Sequence, residues 1–338
     1  MRRSKPRVMM LQDALVPLIA CAALLADTAN VRAGEAAPQR PYPNKPIRLI
    51  VPYAPGGSSD IIARLFGQRL TESMGQTFVV DNRPGAGGVV GTALLAKSPP
   101  DGYTLILQDM PHTINPAVYG KVPYDPLRDF TPVTLLARAP QWLFVFPAVR
   151  AKNVSELIAL AKARPGAIRI GSAGTGSGTH LMAELLMRGA DIKLTHVPYK
   201  GAGPAVTATV GGEMSAVFTS MPAAVTFVET GRLRPIGVTT SKRHPMHPEV
   251  PTFEESSVPN MVIHHWFGVL APAALPAPIL TRLHEEFAGA ASQAIVIDRY
   301  KSLILEPATS TPSEFRRLIE SDLARWAKVV KDAGIKAE

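Results

Sequence analysis

The chain predicts an α/β protein of two lobes, each a mainly parallel sheet flanked by helices, and three observations carry that prediction. Its 338 residues exceed the roughly 250 to 300 at which single cores stop growing. Strand-like and helix-like segments alternate along most of its length, the pattern of sheets covered by helices. A strand, a glycine and serine loop and a helix occur in that order near the start, and a unit of the same kind returns in the middle of the chain. Two similar lobes facing each other would produce this. Apolar residues make up 46% and charged residues 19%, the balance of a packed protein and not of a disordered one.

Residues 1–33 stand apart. Arg2, Arg3, Lys5 and Arg7 give a basic start, Ala14 to Ala26 is almost wholly apolar, and Val31-Arg32-Ala33 before Gly34 fits a small-residue cleavage site. The segment reads as a secretory signal peptide. A retained membrane anchor would need about 20 apolar residues, and this run is shorter and broken by Pro17. Leu18-Ile19-Ala20-Cys21 is similar to a lipoprotein processing site, but the apolar run continues to Leu25. Arg2-Arg3 hints at twin-arginine export. Cleavage after Ala33 removes Cys21, so the mature chain has no thiol chemistry and no disulfide. Loss of the leader's five basic and two acidic residues lowers the net charge from +9 to +6. That surplus favours anionic partners. The clustered basic runs with interleaved aromatics of a nucleic-acid protein are missing.

The mature chain opens with a proline-rich stretch, Pro38 to Pro46. Ile47, Leu49, Ile50 and Val51 then form a strand of the kind buried on both faces. Gly56 and Gly57 let backbone amides approach a ligand, and Ser58 or Ser59 is expected to cap the helix carrying Ile62, Leu65, Phe66 and Leu70. Amides and dipole at that helix start attract an anion. Phe78 to Val80 is a second strand, Asn82 to Gly88 a second loop, Val89 to Lys97 a second helix and Tyr103 to Leu107 a third strand. Ile114 to Asp129, rich in proline and aromatics without a clear period, reads as a structured connection. Val133 to Phe146 reads as one long extended stretch, and Ser155 to Ala163 as a helix ended by Pro165-Gly166. The opening theme returns as a strand at Ile168 to Ile170, a loop from Gly171 to Thr179 and a helix from His180 to Arg188. A further loop, Val197 to Pro204, precedes a helix near Ala205 to Val210. Thr311-Pro312-Ser313-Glu314 combines an N-cap, a first-turn proline and a capping-box glutamate. Phe315, Leu318, Ile319, Leu323, Trp326 and Val330 follow on one face, and Gly334 closes the helix. The expected division is a leader over 1–33, one lobe from 34–139 with 266–338, and a second lobe from 140–265. In open sheets ligands sit beyond the carboxyl ends of parallel strands, so the cleft between lobes is the expected site.

Several chemistries fail at these loops. Gly85, Gly87 and Gly91 miss the dinucleotide fingerprint, whose third glycine falls on Val90, and no Gly-Lys-Ser or Gly-Lys-Thr follows a glycine run. Ser172 or Ser177 with His180 offers a nucleophile and a base, but no Gly-x-Ser-x-Gly elbow is present. A secreted serine hydrolase therefore stands only as an alternative. His244 with His247, and His264-His265, lack supporting carboxylates or cysteines and read as solvated loop histidines. No cofactor and no metal is expected. What remains is recognition without chemistry: amides and hydroxyls of Ser58, Ser59, Ser172, Thr175, Ser177 and Thr179 can hold a carboxylate by charge-assisted bonds of about 1.5–3 kcal/mol each.

At Tyr42-Pro43-Asn44-Lys45-Pro46-Ile47-Arg48, Pro55-Gly56-Gly57-Ser58-Ser59-Asp60, Asn82-Arg83-Pro84-Gly85-Ala86-Gly87-Gly88, Asp101-Gly102-Tyr103-Thr104-Leu105, His196-Val197-Pro198-Tyr199-Lys200-Gly201 and Arg325-Trp326-Ala327-Lys328 the sequence resembles the tripartite tricarboxylate transporter substrate-binding proteins, or Bug family. The resemblance covers nearly all of the mature chain. It implies a Venus-flytrap, type II-like periplasmic binding protein, a monomer and not an enzyme, which delivers a small anionic organic acid to a membrane transporter of one large and one small subunit. A sensor role toward a signalling partner is the alternative within the binding class. Carried over by motif, the ligand residues are Tyr53, Gly57, Ser58, Ser59, Asp60, Gly87, Gln108, Ser172, Thr175, Gly176, Ser177, Thr179, His180 and Tyr199, with Gly201 nearby. Asp60 is expected to orient its own loop, since a carboxylate would repel the ligand. The chain departs from the family pattern at Gln108-Asp109-Met110-Pro111, Ser215 and Thr219, which implies an altered wall at the far end of the ligand.

Overall fold

The computed structural model describes residues 42–332 and 334–336; the expected signal peptide and the Cys21 alternative lie outside the described residues. All that follows concerns the unit from Pro43 onward. β1 (Ile47–Val51) is buried along nearly its whole length and lies between two parallel partners, β2 (Phe78–Asn82) and β3 (Thr104–Asp109). α1 (Ser58–Met74) follows β1 and α2 (Val89–Ala96) follows β2. Ile62, Phe66 and Leu70 of α1 are fully buried, as their helical spacing predicts.

Among the described residues the strands form two sheets. β4 (Phe130–Pro140), β10 (His264–Pro272) and β11 (Glu306–Pro307) complete the first, in the order β11-β4-β10-β3-β1-β2. The second contains β5 (Trp142–Val145), β6 (Arg169–Ser172), β7 (Thr195–Pro198), β8 (Ala216–Thr219) and β9 (Arg234–Val238), in the order β7-β6-β8-β5-β9. The two-lobed α/β class is as expected, but the sheets are mixed and not mainly parallel. The reason is that strands entering or leaving a lobe run against the βα units: β10 pairs antiparallel with both β3 and β4, and β5 with both β8 and β9. The expected extended stretch from Val133 to Phe146 is likewise two strands in different sheets, divided at Gln141. His264 stands opposite Pro140 in the β4–β10 register, so the outgoing and returning connections run side by side.

The segment read as a connection contains a helix, α3 (Pro111–Tyr119), with proline at its first turn and again at Pro116. Its prolines mask a buried face of His112, Ile114, Asn115 and Val118; Pro111 in the first turn costs no helical bond, whereas Pro116 inside the helix forgoes the bond to the His112 carbonyl. α4 (Val154–Ala163) is capped by Asn153, whose Oδ1 accepts the Glu156 N–H at 2.9 Å. α5 (Gly178–Ala190) and α6 (Ala202–Val210) follow the two loops of the second lobe, and each starts earlier than its apolar pattern suggests because small residues form the first turn. α7 (Val225–Glu229), α8 (Ala277–Ala291) and α9 (Ala294–Ser302) cover further surface.

The last helix, α10 (Pro312–Asp332), has the predicted capping box: Thr311 Oγ1 accepts the Glu314 N–H at 3.2 Å, and Glu314 Oε2 accepts the Thr311 N–H at 2.8 Å. Phe315, Ile319, Trp326 and Val330 are buried, while Leu318 and Leu323 are half-buried. Trp266 of β10 meets Phe315 edge-on at 5.3 Å and donates its indole N–H to Asp322 at 2.8 Å.

Candidate functional site

A cavity of about 40 Å³ lies between the two sheets. Seven of the expected ligand residues line it together: Tyr53, Gly57, Ser58, Ser59 and Asp60 from the first lobe, and Ser177 and Thr179 from the second. Gly87, Thr175 and Tyr199 line an adjoining space that shares Tyr53. His180 borders a third, with His196 and Arg188.

Ser172, Gly176 and Gln108 line none of the three. Ser172 is fully buried, with its Oγ 2.6 Å from His196 Nε2. Gln108 donates from Nε2 to Thr92 Oγ1 at 2.7 Å and accepts the Asp109 N–H at Oε1. Its strand neighbour Asp109 faces the cavity instead, because successive strand residues point to opposite faces.

The first-lobe wall begins at the start of α1. Gly57 is the N-cap and no side chain caps this helix, which corrects the expectation for Ser58 and Ser59. Their hydroxyls point elsewhere: Ser220 donates to Ser58 Oγ at 2.7 Å, and Ser59 donates to Asp109 Oδ2 at 3.2 Å. Gly57 to Asp60, at the start of this 17-residue helix, line the cavity, so the positive end of the helix dipole lies beside it. Asp60 holds the loop, as expected. It accepts the Gly56 N–H at 3.1 Å, the Asn82 amide at 3.0 Å and Arg64 at 3.0 Å. Burial works against its charge, but those bonds from Arg64, Gly56 and Asn82 outweigh it and hold the carboxyl below its usual range.

Across the cavity Ser177 caps α5 by accepting the His180 N–H at 3.2 Å, and Thr179 Oγ1 accepts the Ala173 N–H at 2.8 Å. Ser177 and Ser172 are thus engaged in loop structure, Ser177 at the start of α5 and Ser172 with the His196 ring and the Gly174 N–H. Burial, followed by the stacked His180 ring 4.3 Å away, pushes His196 down to about 4.

The lobes meet in a closed seam. Ala54 N–H donates to Lys200 O at 2.8 Å, and Tyr119 O–H to Thr175 O at 2.7 Å, in addition to the Ser220–Ser58 bond. Glycines permit this approach. A Cβ at Gly203 would stand 2.5 Å from Pro55 O, and one at Gly176 would stand 2.6 Å from the Tyr119 ring.

The sequence reading missed several lining residues, chiefly Asp109, Gln141, Ser220 and His265. Asp109 had a signal in the departure at Gln108-Asp109, and Thr219, flagged in the same way, lines the cavity while Ser215 bonds the Arg169 N–H. His265 is not a solvated loop residue: it is 6% exposed, on β10, with Nε2 3.1 Å from Asp109 Oδ2. Its neighbour His264 is exposed. His244 and His247 pack edge-on against Trp142. Among the described residues no group of three or more histidine, cysteine or acidic side chains is arranged to hold a metal ion.

A two-lobed α/β chain with a cavity between its lobes has the architecture of a solute-binding protein. The family model for the tripartite tricarboxylate transporter family receptor matches residues 62–335. The chain belongs to that family, whose members are periplasmic binding proteins and not enzymes. It is 37% identical to Protein BugT of Bordetella pertussis over 87% of this chain and 91% of that one. Among solved structures, an R. palustris protein with adipate is 37% identical, with a TM-score of 0.83 over 87% of this chain and 99% of that one. MatC from Rhodopseudomonas palustris with bound malate is 30% identical, with a TM-score of 0.81 over 86% of this chain and 100% of that one.

Proposed function

We propose that this receptor captures a small organic carboxylate between its lobes and delivers it, in the closed form, to a membrane transporter of one large and one small subunit. The observation that carries the reading is the α1 start without a side-chain cap, lining the cavity that the seam closes. Its amides and dipole favour an anion without any buried arginine. Ligand contacts on both lobes would shift the population toward the closed form, and closure strengthens polar contacts by excluding water. Gly57, Ser59 and Thr179 are the principal contacts in this reading, with Thr175 at the adjoining space. The adipate and malate in the two related structures support a carboxylate as the cargo class.

The proposal includes export to the periplasm with cleavage near Ala33, a monomer without cofactor, and the lobe boundaries set out from the sequence. The test is a thermal-shift screen of the chain from Gly34 onward against mono-, di- and tricarboxylates and aromatic acids. A ligand at 100 times its Kd adds about 2.7 kcal/mol of stability. A selective shift supports the reading; silence across the panel, from protein shown to carry no bound ligand, overturns it.

A further inference from the structure

Among the described residues two carboxylates line the central cavity, Asp60 and Asp109, and no lysine or arginine does. Arg64 compensates Asp60 at 3.0 Å. Asp109 is buried, and its other partners are the neutral hydroxyls of Tyr53, 2.8 Å from Oδ1, and Ser59. The basic side chain that meets it is His265, bonded through Nε2. That bond leaves Nδ1 as the free ring nitrogen of a cavity-lining side chain. Nδ1 is buried with no hydrogen-bond partner, and a Cβ built at Gly178 of the opposite lobe would lie 3.3 Å from it.

The charge state of this nitrogen sets the charge of the wall. With a neutral ring, Nδ1 presents a lone pair and Asp109 contributes a full negative charge to the space an anion must enter. With a protonated ring, Nδ1 presents a donor and the pair sums to zero. Coulombic attraction therefore ties an anion to the protonated ring. Gly178 opens α5, whose positive end opposes that proton.

We propose that the cavity binds an organic anion together with one proton, carried on His265 Nδ1 and donated to the anion as a hydrogen bond, which makes His265 the residue that selects ligand charge. The inference rests on the carboxylate reading above. The proton comes from solvent or from the acid form of the ligand, and no other bond is made or broken.

The other titratable groups that feel the Asp109 charge are Tyr53 from the loop after β1 and His112 on α3, and Asp60, paired with Arg64 on α1, shares the cavity wall. Burial, then the Asp109 charge, raises Tyr53 well above its usual range, and burial pushes His112 down to about 4. Neither changes charge between pH 6 and pH 8.

The experiment is isothermal titration of the chain from Gly34 onward with adipate, malate and hexanoate, at pH 6, 7 and 8, with the pH 8 series run in both Tris and HEPES. For an acid that binds, affinity should fall toward tenfold per unit at the upper end of this range, and the buffer difference should report about one proton taken up at pH 8. His265→Gln retains an amide donor toward Asp109 but lacks Nδ1; it should bind about tenfold or more weakly at pH 6 and take up no proton. Asp109→Asn removes the negative charge from the wall and keeps Nδ1, so its affinity at pH 8 should exceed that of wild type and fall less between pH 6 and pH 8. Binding of equal strength at pH 6 and pH 8 without proton uptake overturns the proposal and leaves the carboxylate reading standing. If none of the three acids binds, the same pH and buffer series is run with the acid selected by the thermal-shift panel, and silence across that panel overturns the carboxylate reading as well. If either variant lacks a cooperative melt, the wild-type pH and buffer series decides alone.

Discussion

Replacing Gly203 by alanine isolates closure from ligand contact. Gly203 is the second residue of α6 and lies outside the central cavity's lining, so the substitution removes no proposed contact. Alanine is also the better helix former, by up to about 1 kcal/mol. Its Cβ, however, would stand 2.5 Å from Pro55 O, 2.9 Å from Gly56 C and 3.0 Å from Gly57 N. These are backbone atoms of the opposite lobe and cannot swing aside. Restoring ordinary contact distances needs the lobes to separate by roughly 1 Å. The Ala54–Lys200 and Ser58–Ser220 bonds, at 2.8 and 2.7 Å, would then be stretched beyond hydrogen-bonding range. At about 0.5–1.5 kcal/mol net for each bond, the closed form loses about 1–3 kcal/mol. Apparent affinity for the carboxylate found in the screen should therefore fall about 5- to 150-fold by calorimetry, while the ligand-free melting curve remains cooperative. Wild-type affinity in Gly203→Ala would refute the role assigned to the seam.

Ser220→Ala removes one hydroxyl of the seam alone and should weaken the same affinity by a smaller factor, about 2- to 10-fold; an unchanged Kd would count against the Ser58 bond as a closing contact. Thr311→Ala deletes the cap of α10 and should cost about 1 kcal/mol in urea unfolding, with no effect on ligand affinity. The buried histidines set an acid limit. His112 and His196 both lie near 4 in the folded chain, against about 6.5 when unfolded. The unfolded chain therefore binds more protons between those values, so stability is full above pH 6.5 and declines as pH falls toward 4. His196→Gln should flatten that decline in thermal melts, and a slope identical to wild type would contradict the assignment. Asp125 is held at about 2 by bonds from the Arg128 backbone and side chain and the Leu127 N–H, so its contribution disappears only below about pH 4.

What could be read from local spacing was legible in the sequence. The buried strand at Ile47–Val51, the α1 face of Ile62, Phe66 and Leu70, and the Thr311–Glu314 box each depend on residues within a few positions of one another, where period and capping chemistry act. The loop opening α1 was legible for the same reason, since Gly56 and Gly57 must sit where backbone comes close. α3 was hidden because its prolines carry the signal of a loop while its buried face carries that of a helix.

The far wall of the cavity belongs to another class of information. Asp109 and His265 are brought together by an antiparallel register that sets Phe267 opposite Asp109, and no spacing along the chain encodes a pairing across that distance. Which of Gln108 and Asp109 faces the ligand space is equally a matter of pleat and register, where a slip of one residue exchanges the two. By itself the sequence determined a two-lobed α/β architecture with a glycine-rich loop opening α1, because turn chemistry and apolar periodicity are local. Only the tertiary structure decided that an Asp–His pair with one buried, unpartnered nitrogen lines the cavity beside that helix start, because that wall forms only when β10 returns from the second lobe to pair with β3.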